Sequence, residues 1–388
     1  MDNQNEINFK NHIQWMAVGF ISIILLSVSV NYIIDPYAIW KSKIFQGFND
    51  IKSERLNRFF QFKAADLIHT SPKSLMIGTS SVAFMSPKSK SLNSEKYQPV
   101  YNSALVGGHL KPIRNYLEHA IYNSPNIENI FWGIDFLSFN KNLTIRDDFS
   151  DTRLNTSIKS FSDIANSLLT WSSLTDTFNT IKSSRNKSKY IPYTSAGQLT
   201  AIDMEQRVAR DGMQKRFEKS LSLYVHNDEY FRKYENSLQA WIELEKILDI
   251  VKRNNINLYL FVTPVHISMI EGIKQRGLWG DYKLWLEKLS GYSPYWDFSR
   301  PNKLNTEAIN DHIKNYWDVS HYRESVGNLV FNRMLNASSN DLDDKFGTYI
   351  TPNMVNQYLQ SLDEEMTKME QTNNGIRKFV ETVINNPT

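Results

Sequence analysis

Residues 74–81 read Ser-Leu-Met-Ile-Gly-Thr-Ser-Ser, an apolar run that stops at a glycine and passes straight into hydroxyl residues. Ser74–Ile77 predicts a short buried strand, and Gly78 to Ser81 predicts a tight turn into a helix. A serine on such a turn stands at a sheet edge, where its hydroxyl can reach a carbonyl carbon and nearby backbone N–H groups can face an oxyanion. The same residues also suit an ordinary strand-to-helix turn with an N-cap. Three further apolar runs, Val100–Asn102, 130–134 and 258–262, are as short as parallel strands covered on both faces. Helical spacing lies between them. Residues 54–69 place Leu56, Phe59, Phe60, Ala64, Leu67 and Ile68 on helical repeats, and a second helix is expected over 110–122. Asn236 and Ser237 can cap a helix whose Trp241, Leu244, Leu248 and Val251 share one face. Strands alternating with helices imply an α/β fold with a doubly wound, mostly parallel sheet, and ligands beyond the carboxyl ends of its strands.

Composition narrows the function classes. The 388 residues allow one large domain or two ordinary ones, and 41% hydrophobic with 22% charged residues exclude a disordered chain and a polytopic membrane protein. The chain has no cysteine, which excludes disulfides, zinc ribbons, iron–sulfur clusters and a cysteine nucleophile. A net charge of +3, from 44 basic and 41 acidic residues, is too balanced to argue for nucleic acid. Neither a cofactor nor a metal is expected.

From Trp15 to Ile34 the chain reads WMAVGFISIILLSVSVNYII, without a charge. Its 20 residues, at about 1.5 Å each, cross a hydrocarbon core of about 30 Å. Trp15, Tyr32, Tyr37 and Trp40 suit the interfacial belts at its ends. The run continues into Asp35-Pro36-Tyr37 without a small-residue cleavage site, which favours an uncleaved anchor in membrane lipid over a signal peptide. Lys41, Lys43, Lys52, Arg55 and Arg58 follow the span, and by charge alone they would put the large domain in the cytoplasm. Basic residues beyond Lys43 can instead belong to the folded domain. The expected organisation is a tail over 1–13, an anchor over 14–36, an α/β domain over 37–350 and a helical tail over 351–388. Within the domain, 141–235 is rich in Ser, Thr, Asn and Lys and reads as an insertion of helices and loops, either a lid or platform or a solvated excursion. The C-terminal tail, with Met354, Leu359, Leu362, Met366 and Met369, is expected to pack on the domain or on a partner.

Near the C-terminus stands Trp317-Asp318-Val319-Ser320-His321-Tyr322. A carboxylate three residues before a histidine can turn back onto the imidazole, fixing its tautomer and leaving the other nitrogen as a base. Asp-x-x-His also arises by chance, and Asp311-His312 nearby has a different spacing. The chain order Ser80, then Asp318 and His321, with the serine after the first strand and the pair after the last, is more specific than either part.

That order resembles the SGNH (GDSL-like) hydrolase superfamily, in particular its membrane-anchored branch of alginate O-acetyltransferase-type and D-alanine-transfer-type envelope proteins. The resemblance is carried by residues 31–37 at the boundary after the anchor, Leu75-Met76-Ile77-Gly78-Thr79-Ser80, and Tyr101-Asn102-Ser103-Ala104-Leu105-Val106-Gly107-Gly108. It continues in Phe261-Val262-Thr263-Pro264-Val265-His266, in Tyr295-Trp296-Asp297-Phe298-Ser299, and in Asp318 to Tyr322. It implies a three-layer α/β/α domain, with Ser80 as nucleophile, His321 as base and then acid, and Asp318 orienting the ring. The N–H groups of Ser80 and Gly107 would hold the oxyanion. It further implies O-acyl chemistry on an envelope polysaccharide and a domain outside the cytoplasm, on the periplasmic side. The acyl donor stays open, an integral-membrane acyl-donor protein among the candidates. Gly78-Thr79-Ser80 replaces Gly-Asp-Ser, and Asp135 stands where the superfamily has an asparagine that donates to the oxyanion. Asn102 is expected either to brace the nucleophile turn or to cap a turn, and His266 either to line the pocket or to serve as a turn histidine. Asp297 is expected to position the C-terminal loop. Trp279, Trp285, Tyr292, Tyr295 and Trp296 suit either a sugar-stacking wall or core.

Overall fold

The computed structural model describes residues 2–156, 160–337, 343 and 345–386, with only the backbone for 2–8. In chain order its elements are α1 (Asp2–Ile34), α2 (Phe59–His69), β1 (Ser74–Ile77), α3 (Ser80–Ala83), β2 (Val100–Asn102), α4 (Leu110–Asn123) and β3 (Asn129–Ile134). There follow α5 (Phe161–Leu168), α6 (Trp171–Arg185), α7 (Ile202–Asp211), α8 (Met213–His226), α9 (Leu238–Arg253), β4 (Asn257–Val262) and α10 (Ile267–Gln275). The chain ends with α11 (Trp279–Tyr292), β5 (Tyr295–Asp297), α12 (Glu324–Met334), β6 (Thr348–Ile350), α13 (Val355–Thr372) and α14 (Asn374–Asn385).

Two compact units result, one of Met1–Asp66 with Thr156–Pro192, the other of Leu67–Asn155 with Tyr193–Thr388. These units cut across the expected boundaries. Residues 37–66 join the apolar helix, and the insertion divides, so that α5 and α6 go with α1 while α7 and α8 go with the sheet. The C-terminal helices belong to the sheet unit, where Leu362, Met366 and Met369 are buried.

In the first unit, Phe9–Ile34 of α1 is long and apolar enough to cross a membrane. Phe20 and Leu26 are about two-thirds exposed, so α1 is not a buried core helix. Its last carbonyls are satisfied from the chain that follows. The Lys52 ammonium donates to the Ile34 and Asp35 carbonyls at 2.7 and 2.9 Å, and Asn49 donates to Ile33 at 3.0 Å. Lys41 and Arg55 both pair with Asp66, and Arg58 donates to the Ser172 hydroxyl at 3.1 Å. Four of the cations after the span are therefore tied into the fold.

In the second unit, the described residues form a six-stranded sheet of order β2-β1-β3-β4-β5-β6, parallel except for the antiparallel edge strand β6. The four expected strands are present within one residue. β5 and β6 were not expected as strands, because neither is buried along its whole length and so neither shows a continuous apolar run. Every residue of β1 and β3 is buried, as continuous apolar runs covered on both faces require. The chain leaves β1 for β2 on one side and returns as β3 on the other, with Met76 set between Asn102 and Phe131. That reversal opens a crevice at the carboxyl ends of β1 and β3, the usual ligand position in open parallel sheets.

Candidate active site

Ser80 begins immediately beyond β1, on the first turn of α3, and remains partly exposed. The turn is tight because only glycine fits beneath it. Gly78 has φ +144, and a Cβ there would lie 2.5 Å from the Gly133 carbonyl. A Cβ on Gly133 would lie 2.3 Å from Val82, so two glycines let α3 press directly on the sheet. From the far side of the buried α3 turn, Asn102 donates to the carbonyls of Val82 and Met85, both at 2.9 Å, and accepts from the Ala104 N–H at 3.1 Å. Asn102 thus braces the turn that carries Ser80 and is itself fully buried.

The loop carrying Asp318 and His321 closes on itself. Tyr316 pairs with Tyr322 at its base, both fully buried, and Trp317 N–H donates to the His321 carbonyl at 2.8 Å. Asp318 Oδ1 accepts from the Ser320 and His321 N–H groups, each at 2.9 Å, which winds the carboxylate under the ring. His321 Nδ1 then lies 2.9 and 3.0 Å from the two Asp318 oxygens. An ionised carboxylate only accepts, so Nδ1 carries the proton and Nε2 is the acceptor. Ser80 Oγ lies 2.9 Å from that Nε2, across 241 residues of sequence. Two contacts dock the loop: the Ser81 hydroxyl donates to the Ser320 carbonyl at 3.1 Å, and the His266 N–H donates to the Val319 carbonyl at 3.0 Å.

Sequence reading missed Arg216. It projects from α8 and donates through Nη2 to Asp318 Oδ2 at 2.7 Å, where the carboxylate is fully buried. Burial pushes Asp318 up, but His321, Arg216 and the Ser320 N–H outweigh it and hold the carboxyl well below the usual carboxylate range. The only signal in the sequence was a basic residue beside the buried stripe of Met213, Phe217 and Leu221, and nothing there pointed to Asp318.

Asp135 differs from the role that its block would imply. It caps the 3-10 turn Phe136–Phe139, accepting from the Ser138 N–H at 3.0 Å and the Ser138 hydroxyl at 2.9 Å. Its other oxygen accepts from the Thr79 hydroxyl at 2.8 Å, across the crevice between β1 and β3. Burial pushes this carboxyl up while the Thr79 and Ser138 bonds oppose the shift. A carboxylate accepting on both oxygens has no proton for an oxyanion, so Asp135 positions the turn that carries Ser80 through Thr79. Gly107 lies on an exposed turn at φ +115. The adjoining Gly108 sits against Thr79, whose methyl would be 3.7 Å from a Cβ there, so the loop after β2 borders the serine turn.

No protein-family model matches this chain, and no curated protein matches it. The functional reading rests on geometry.

The remaining candidates have structural work. His266 is completely buried and caps α10, its Nδ1 accepting from the Ser268 N–H at 3.2 Å while Nε2 lies 2.9 Å from the Glu307 carbonyl. Both ring nitrogens are engaged, so it is a turn histidine and does not line a pocket. Burial pushes it down to about 4. The unfolded chain takes up that proton near pH 6.5 and the folded chain only near pH 4, so stability falls as pH drops through this window, by up to about 3 kcal/mol. His266→Gln is expected to flatten the difference in urea midpoint between about pH 7 and pH 5. An unchanged difference would show that another group carries it. Asp297 is fully buried, accepting from the Ser299 N–H and the Tyr358 hydroxyl, each at 2.7 Å, and so ties the C-terminal loop to α13. Trp285 and Tyr295 are core, and Trp279 stacks on Tyr282 at 5.7 Å. Among the described residues no cluster of His, Asp and Glu is arranged to hold a metal ion.

Proposed function

We propose that this chain is a membrane-anchored serine acyltransferase or esterase of SGNH type, adding or removing O-acyl groups such as acetyl on a cell-envelope polysaccharide. The contact of Ser80 Oγ with His321 Nε2 at 2.9 Å, backed by Asp318 on Nδ1, carries the reading. His321 Nε2 takes the Ser80 proton as Oγ attacks the ester carbonyl, and the oxyanion forms near the Ser80 and Gly107 N–H groups. His321 then protonates the departing oxygen, leaving an acyl-serine. Water in an esterase, or a sugar hydroxyl in a transferase, attacks that ester after giving its proton to Nε2.

The strand order with β1 at the reversal supports the three-layer SGNH arrangement. The apolar, exposed α1 supports an uncleaved anchor in membrane lipid. The involvement of Lys41, Lys52, Arg55 and Arg58 in folded contacts weakens the charge argument for a cytoplasmic domain, and we place the domain outside the cytoplasm. An integral-membrane acyl-donor protein is a partner this chemistry would use.

A second reading is a catalytically weak scaffold of the same fold that binds a glycan or an assembly partner. Asp135 favours it, because loss of one oxyanion donor costs about 3 kcal/mol, or roughly a hundredfold in rate. The O-acyl content of the envelope polysaccharide, measured in cells carrying Ser80→Ala, separates the two. The enzymatic reading expects the mutant to match a strain lacking the protein. A Ser80→Ala strain with wild-type content, beside an altered null strain, would leave the scaffold.

A further inference from the structure

The helical pair α5–α6 is built inside out. On α6 the buried positions are Ser173, Thr177, Thr180 and Ser184, while Trp171 is 82% and Phe178 60% exposed. On α5 the buried positions are Asp163, Ser167 and, at its end, Leu168, while Phe161 is 81% exposed; Leu169, in the turn between the helices, is 54% exposed. A helix in water turns its apolar side inward and its hydroxyls outward. Here hydroxyls face the packing partner and large rings face away, the arrangement of helices whose surroundings are apolar.

The pair packs on α1, within the same unit. Asn31 of α1 donates to the Leu168 carbonyl at 2.8 Å and accepts from the Thr177 hydroxyl at 2.7 Å. Asn31 stands three residues before the end of α1, so the Leu168–Trp171 turn is held at the level of its last turn, about 5 Å along the axis from its end. Where α1 meets the membrane–water boundary, aromatic side chains are favoured. We propose that α5–α6 is a membrane foot, seating Phe161, Leu169, Trp171 and Phe178 in the headgroup and acyl boundary of the same bilayer that α1 enters. The occupant is lipid because the pair that carries this exposed apolar face packs on α1, whose own apolar side chains are exposed, and bonds to it near its end. This rests on α1 being a span.

The absence of cysteine allows single-cysteine labelling of the full chain. Phe161→Cys and Trp171→Cys, carrying an environment-sensitive fluorophore, are reconstituted in phosphatidylcholine–phosphatidylglycerol vesicles containing lipids brominated near the headgroup. Phe20→Cys reports the span with lipids brominated deep in the chain, and Lys233→Cys is the reference on an exposed polar side chain. Quenching at 161 and 171 about twofold or more above that at 233 is the expected result. Phe20 quenched with 161 and 171 no different from 233 overturns the foot and leaves the anchor standing. All positions unquenched overturns both. Unquenched labels whose emission shifts with protein concentration would assign the face to a second copy and overturn the lipid assignment.

Discussion

Ser80→Ala is expected to abolish covalent labelling by a fluorophosphonate and to lower ester turnover by about 10⁶-fold. The hydroxyl is partly exposed, lies 2.9 Å from an imidazole nitrogen that can only accept, and sits on a turn that Gly78, Gly133 and Asn102 hold in place. Its neighbour provides the control. Ser81 is buried and its hydroxyl donates to the Ser320 carbonyl, so Ser81→Ala should keep the label and lose only some docking of the loop. A membrane-impermeant probe applied to intact spheroplasts reads topology at the same time, since labelling of Ser80 there requires the domain outside the cytoplasm. Equal labelling of Ser80→Ala and the native chain would remove Ser80 as nucleophile.

Asp318→Asn is expected to cost about 10⁴ in turnover, less than loss of the hydroxyl, while leaving the fold in place. The asparagine offers one oxygen where two now serve His321 Nδ1 and Arg216. An amide N–H₂ facing the ring favours the other tautomer, in which Nε2 holds the proton and cannot take one from Ser80. Arg216→Met tests the support behind the carboxylate. It leaves a fully buried carboxylate without its guanidinium partner, held only by the His321 ring and the Ser320 and His321 N–H groups, and a stability loss of about 3 kcal/mol is expected. A carboxyl held below its unfolded pKa stabilises the fold above that pKa, and the contribution is lost as pH falls through the folded value. With Arg216 gone burial is less opposed, so the acid-unfolding midpoint, followed by tryptophan fluorescence, should move to higher pH; Arg216→Lys should recover part of the shift. Native acid stability in Arg216→Met, or undiminished turnover in Asp318→Asn, would contradict this account.

The parts of the molecule legible in sequence are those whose cause is local. Buried strands declare themselves as apolar runs because each residue meets the core on its own account, which is why Ser74–Ile77 and Val100–Asn102 were found at their true ends. The Ser237 cap and the Asp318–His321 pair were legible for the same reason, since three residues suffice to bend the chain back on itself. Arg216 was not, because the side chain that completes Asp318 comes from 102 residues away, out of a stretch whose composition reads as a solvated excursion. That Asp135 only accepts was legible from its side chain, whereas its partner, the Thr79 hydroxyl 56 residues away, was not.

Sequence by itself determined the apolar helix, the order of short strands and helices, and the chemical types available at each strand end, because hydropathy and spacing act over a few residues. Only the tertiary structure decided that Ser80 meets His321, that Arg216 joins them, that Tyr295–Asp297 and Thr348–Ile350 join the sheet, and that the insertion divides between two units. Those outcomes depend on which distant surfaces bury one another, a choice made by the packing of the whole sheet that no local pattern encodes.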